Sequence, residues 1–63
     1  MQNERIIRRP EVESMTGLGR SLIYEKMADG TFPQSVPIHG RSVGWVHSQV
    51  QSWILERIED ARG

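Results

Sequence analysis

Arg9-Pro-Glu-Val-Glu-Ser-Met-Thr-Gly-Leu-Gly-Arg-Ser-Leu-Ile-Tyr-Glu-Lys-Met-Ala-Asp-Gly30 is the stretch that decides the fold. Pro10 fits the first position of a helix, where its missing N–H costs nothing. Glu11 and Glu13 follow in the first turn, where the helix dipole favours negative charge. Val12 and Met15 share a face, as a core-facing stripe requires. Gly17 is placed to end this helix in a left-handed conformation. A second helix is predicted from Gly19 or Arg20 to Asp29, with Ile23 and Met27 on one buried side. Gly30 and then Pro33 stop it. Leu18, between the helices, is expected to plug the core at the corner. Two short helices joined at a glycine turn outline a helix-turn-helix, a unit that places its second helix in the major groove of DNA.

Downstream, Val36 and Ile38 alternate with Pro37, and Val43 and Trp45 alternate with Gly44. His39, Gly40, Arg41 and Ser42 lie between them as the tip of a hairpin. Pro37 cannot donate to a ladder, so its strand is expected at an edge. A hairpin directly after a helix-turn-helix is the arrangement called a wing. Val46, Val50, Trp53, Ile54, Ile58 and Ala61 then follow helical spacing, giving one broad apolar stripe. Leu55 falls off that stripe; it is either a single exposed apolar residue or a dimer contact. Upstream, Ile6 and Ile7 form a brief strand or an N-terminal tuck. The expected fold is mainly α with a small β-hairpin, a winged helix-turn-helix occupying residues 1–63 as a single domain.

At 63 residues the chain has room for one domain. A domain this small buries only about 60% of its unfolded surface. The chain has no cysteine, which excludes disulfide staples and thiolate metal sites. His39 and His47 lack the partners and spacing of a zinc site. The fold must rest on an apolar core, with self-association as the other source of stability for so short a chain. No apolar run approaches the ~20 residues that span a bilayer. The charged N-terminus does not resemble a signal peptide, so a soluble, cytoplasmic protein is expected. Formal net charge is zero, where many nucleic-acid binders are plainly basic. Distribution matters more than the total: a DNA-binding face requires the fold to gather Arg8, Arg9, Arg20 and Arg41.

In a helix-turn-helix the second helix presents its N-terminal residues to base edges. With Ile23 and Met27 inside, Ser21 and Glu25 turn outward and Leu22 and Tyr24 lie on the flanks. Arg20, at the helix start, suits either a guanine edge or a phosphate. Ser21 serves either base or phosphate. The Tyr24 hydroxyl suits a phosphate while its ring covers the core edge. Glu25 opposes phosphate, but it is a good acceptor for a cytosine amine. Arg41 sits where a wing tip reaches the minor groove or a phosphate. Arg8 and Arg9 flank the first helix, where backbone contacts occur. His39 fits a plain turn role better than a phosphate contact. Trp45 and Trp53 fall in the apolar alternation of their elements, which favours the core over base stacking.

Enzymatic readings find no support. There is no Gly-x-Ser-x-Gly elbow, and Gly17-Leu18-Gly19 lacks the rest of a phosphate loop. A chain this short also has little room for a water-excluding pocket of about 300 Å³ or more. No cofactor, metal or small-molecule substrate is expected.

The residues as a set resemble the AlpA family of short prophage and mobile-element regulators, which are similar to excisionases and MerR-type winged helix-turn-helix domains. The resemblance runs from about Ile6 to Arg57. Its carriers are Glu11-Val12, Thr16-Gly17-Leu18, Arg20-Ser21-x-Ile23-Tyr24, Gly30-x-Phe32-Pro33, Gly40-Arg41-Ser42-Val43-Gly44-Trp45 and Val50-x-x-Trp53. It implies sequence-specific binding to double-stranded DNA. The implied task is transcriptional control of a phage or island integrase gene, or a directionality role in excision. By position it implies contacts from Arg20, Ser21 and Tyr24 in the recognition helix and from Arg41 in the wing. Two residues depart from the family pattern. Gly19 stands where serine is common, which keeps an adequate cap but loses a hydroxyl. Leu22 stands where threonine is common, which removes a polar groove contact and leaves an apolar side chain able to meet a thymine methyl. A rival from another class is a protein-interaction module, such as an antirepressor, favoured by neutrality and by Leu55. Assembly as a homodimer or cooperatively on DNA is compatible with either.

Overall fold

The computed structural model describes residues 4–62. Residues 1–3 and 63, part of the expected domain and of the segment read for a leader, lie outside the described residues. The elements are β1 (Ile6–Ile7), α1 (Arg9–Thr16), α2 (Arg20–Asp29), β2 (Val36–His39), β3 (Ser42–Val46) and α3 (His47–Arg62). The chain is thus mainly helical, with a small antiparallel sheet.

Local chemistry sets the helix limits. Arg8 is extended and its carbonyl accepts from Glu11 N–H at 3.0 Å and Val12 N–H at 3.1 Å. These bonds start α1 at Arg9, one residue before the Pro10 start expected from sequence. Gly17 closes α1 with φ 76°, and its N–H reaches the Glu13 carbonyl at 2.8 Å. The Thr16 hydroxyl completes the corner, donating to the Val12 carbonyl at 2.8 Å and accepting from Leu18 N–H at 3.2 Å. Gly30 repeats the device at the end of α2 with φ 77°. Both positions need the left-handed backbone that glycine adopts without strain.

The expected hairpin is present, but it is two-thirds of a three-stranded sheet of order β1-β3-β2. β1 pairs antiparallel with β3, Ile6 opposite Val46 and Ile7 opposite Trp45. Burial of Ile7, 2% exposed, and a bond from His47 N–H to the Arg5 carbonyl at 2.8 Å hold this short strand in place. The edge placement expected from Pro37 is observed, because β2 lies outside β3. Val36 pairs with Gly44, Pro37 with Val43 and His39 with Ser42, leaving Ile38 as an extra residue in a bulge. Gly40 has φ 58° and Arg41 does not have positive φ, which matches a type II′ hairpin turn.

The buried core is Ile7, Val12, Ile23, Phe32, Trp45 and Val50. Every element except β2 contributes to it, as does the loop after α2. Met15, Leu18, Met27, Trp53 and Ile54 pack around it half-buried. Leu18 therefore fills the corner as expected, while Met27 is less enclosed than its spacing suggested. Three members of the predicted α3 stripe are corrected. Val46 belongs to β3, because pairing with Ile6 keeps it extended. Ile58 is 44% exposed and Ala61 is exposed as well. The 16-residue α3 is longer than its 8- and 10-residue neighbours, and its last turns run past the core.

Both tryptophans serve the core, and each also ties down the loop after α2. The Trp45 indole N–H donates to the Pro33 carbonyl at 3.1 Å, and the Trp53 indole N–H to the Thr31 carbonyl at 2.8 Å. Phe32 meets Trp53 edge-on with ring centroids 5.0 Å apart.

Candidate nucleic-acid interface

The side chains that matter lie where α2, the start of α1 and β3 converge. On α2, Ile23 is fully buried and Met27 faces inward beside it. At ~100° per residue this puts Glu25 opposite the core and Ser21 one turn before it, both exposed. Leu22 lies on one flank, 45% exposed, and Tyr24 on the other, 39% exposed. Sequence geometry thus places these four as expected.

Arg20 begins α2, and its guanidinium lies 5.9 Å from the centre of the Tyr24 ring. The Tyr24 ring in turn packs against Trp45, centroids 6.4 Å apart. Behind it opens a cleft lined by Arg8, Arg9, Pro10, Tyr24, Val43 and Trp45. Arg9 donates to Glu13 at 3.0 Å across one helical turn. The Tyr24 hydroxyl, and after it the Glu13 carboxylate, push the pKa of Arg9 above its ordinary value. Arg8, Arg9, Arg20 and Tyr24 are therefore brought together, as a gathered face requires. Arg41 stands exposed at the hairpin tip, two positions along the chain from Val43 of the cleft. His39 is exposed at the end of β2.

The pattern of ion pairs separates the cations into two groups. Arg5 pairs with Glu11, Arg9 with Glu13, Arg57 with Asp60 and Arg62 with Glu59. Arg8, Arg20, Lys26 and Arg41 have no carboxylate partner among the described residues. Three of these four lie at the start of α1, the start of α2 and the hairpin tip. Gly19, extended with φ −82° and ψ 173°, caps α2 without a side chain, so its first amides face outward uncapped. A helix start of this kind favours anions.

Sequence inspection anticipated these residues but not their grouping. Val43 and Pro10, which line the cleft, carried no chemical signal. The ion pair of Arg9 was foreseeable from its spacing to Glu13. Among the described residues, no helix is long and apolar enough to cross a membrane. No group of three or more metal-ligating side chains occurs there either.

The sequence that builds this face matches a known family. The family model described as prophage CP4-57 regulatory protein (AlpA) matches residues 5–58. The chain belongs to the AlpA family. Two relatives are informative. The uncharacterized protein ORF88 of Enterobacteria phage P4 is 47% identical over 55 residues, covering 87% of this chain and 62% of the phage protein. The DNA-binding transcriptional activator AlpA of Escherichia coli (strain K12) is 34% identical over 59 residues, covering 84% of each chain. The chain thus spans less than two thirds of its phage P4 relative. The AlpA match takes in all of the cleft residues, α2 and the hairpin, and ends before the last turn of α3.

Proposed function

We propose that this chain is a DNA-binding regulator of phage type, built as a winged helix-turn-helix. In this reading α2 enters the major groove, α1 lies over the sugar–phosphate backbone and the β2–β3 hairpin is the wing. The observation that carries it is that three of the four cations without a carboxylate partner among the described residues, Arg8, Arg20 and Arg41, stand at the start of α1, the start of α2 and the hairpin tip, with Lys26 on α2 as the fourth. Membership of the AlpA family supports it, since the Escherichia coli relative is named as a DNA-binding activator.

Roles follow from placement. Arg20 lies 5.9 Å from the centre of the Tyr24 ring, which itself lines the cleft with Arg8 and Arg9, and this placement favours a phosphate contact over a base edge. The Tyr24 hydroxyl and Arg9 support the same phosphate row. Ser21 and Leu22 remain for base edges, Leu22 suiting a thymine methyl. Arg41 reaches phosphate or the adjacent minor groove. The proposed task is control of an integrase or excision gene, or direction of excision itself. Catalysis has no part in it.

Salt dependence tests the proposal. With phosphate contacts from Arg8, Arg9, Arg20 and Arg41, log Kobs should fall against log salt with a slope of about −3 to −4. A flat response, or no duplex binding at low salt, would overturn it. Arg20→Ala should lower affinity for all sequences alike and make the slope shallower by about 1. Loss confined to one base position would instead assign Arg20 to base reading.

One observation favours a second reading. Leu55 is 53% exposed and Ile58 44%, one turn apart on α3. That apolar strip suits a protein contact. Pull-down with and without nuclease separates a protein partner from one bridged by DNA.

A further inference from the structure

We infer that Glu25 is a specificity-determining residue of α2 and that it selects a cytosine by accepting from its exocyclic amine. The inference rests on the DNA-binding reading above. Glu25 is exposed, points directly away from the core and has no ion-pair partner among the described residues. It therefore stands at the centre of the helix face that a groove would cover, between Ser21 and Leu22 of the preceding turn. The neighbouring cations do not neutralise it. Arg20 is drawn to Tyr24, and Arg9 beyond it is held by Glu13.

An ionised carboxylate in that place has two effects. It repels phosphates in every register, which weakens binding to arbitrary sequence. In the groove it also loses water, a cost offset only where a donor meets it. The major groove presents two exocyclic amine donors, on cytosine and on adenine. The adenine amine lies beside the N7 acceptor, which opposes a carboxylate. The cytosine amine has a C–H on one side and the guanine O6 of its pair on the other, one flanking acceptor where the adenine amine has two, N7 and the thymine O4. Cytosine is therefore the base that Glu25 accepts.

The test begins with duplexes selected by the wild-type protein from a pool with a randomised core. The selected set should hold one invariant cytosine under α2. Replacing that base by pyrimidin-2-one, which lacks the amine, should weaken wild-type binding about tenfold or more. The same replacement should leave Glu25→Ala, which has no side-chain acceptor, unaffected, and Glu25→Ala should bind unrelated duplexes more tightly than wild type does. A selected set without an invariant cytosine, or equal wild-type binding to both duplexes, would overturn the assignment while leaving DNA binding intact. Failure to bind any pool at low salt would overturn the DNA-binding reading itself. The base replacement leaves the protein unaltered, so a folding defect cannot mimic its result.

Discussion

Trp45→Ala is expected to leave the chain largely unfolded at room temperature. Trp45 is fully buried on the central strand, packs against Tyr24 and donates to the Pro33 carbonyl. Truncating a buried tryptophan costs about 3–5 kcal/mol. The abandoned carbonyl adds about 1 kcal/mol or more if it stays dry. A single core in a chain below ~70 residues rarely supplies more than about 3–5 kcal/mol. The loss is therefore comparable with the whole stability. Far-UV circular dichroism and urea titration will show it as a missing cooperative transition. A variant that keeps a transition within about 1 kcal/mol of the parent would contradict the central role given to this ring.

Gly44→Ala carries the second large effect, although it adds only a methyl group. Gly44 is buried in the middle strand. A Cβ there would lie 2.8 Å from the Ile7 carbonyl oxygen and 2.8 Å from Ile38 Cδ1, and would also press on Ile6 Cγ2. Ile38 can rotate away, but the Ile7 carbonyl belongs to the β1–β3 ladder and cannot. Overpacking of this kind costs typically ~1–3 kcal/mol, and the backbone contact puts Gly44 at the upper end. The expected result is a lower urea midpoint together with loosening of β1, seen as faster amide exchange at the β1–β3 pairs. Unchanged midpoint and exchange would mean that the strand spacing relaxes freely.

These two neighbours also show what was legible in the sequence and what was not. The alternation of Val43 and Trp45 marked a strand, and the glycines at positions 17 and 30 marked both helix ends. Those are local signals, and each appears where expected. The role of Gly44 is not local. It depends on β1 arriving from the far end of the chain, and two isoleucines are too short a run to specify a partner. The same limit applies to α3. Its periodicity persists through Ala61, but periodicity records only which face is apolar. Whether a neighbour reaches that face is a matter of length, and the neighbours of α3 end earlier. At the candidate site, the outward positions of α2 followed from helical geometry alone. The convergence of Arg8, Arg9, Tyr24 and Val43 did not, because it joins three elements. Arg9 illustrates the difference: its i,i+4 partner Glu13 was readable, whereas its contact with Tyr24 required the packing of α1 on α2.

The two indoles, each hydrogen-bonded to a carbonyl of the same loop, also give the molecule an optical readout of its own. Trp45 and Trp53 are the only tryptophans, and Tyr24 the only tyrosine. Light absorbed by Tyr24 passes readily to Trp45, whose ring lies 6.4 Å away. Whatever covers Tyr24 alters the donor, while the acceptor stays sealed in the core. Emission excited through tyrosine therefore registers occupancy of the α2 face. Trp53, beneath Arg57 at 5.3 Å, registers events on α3 instead. A native fluorophore is thus stationed behind each of the two surfaces proposed for partners.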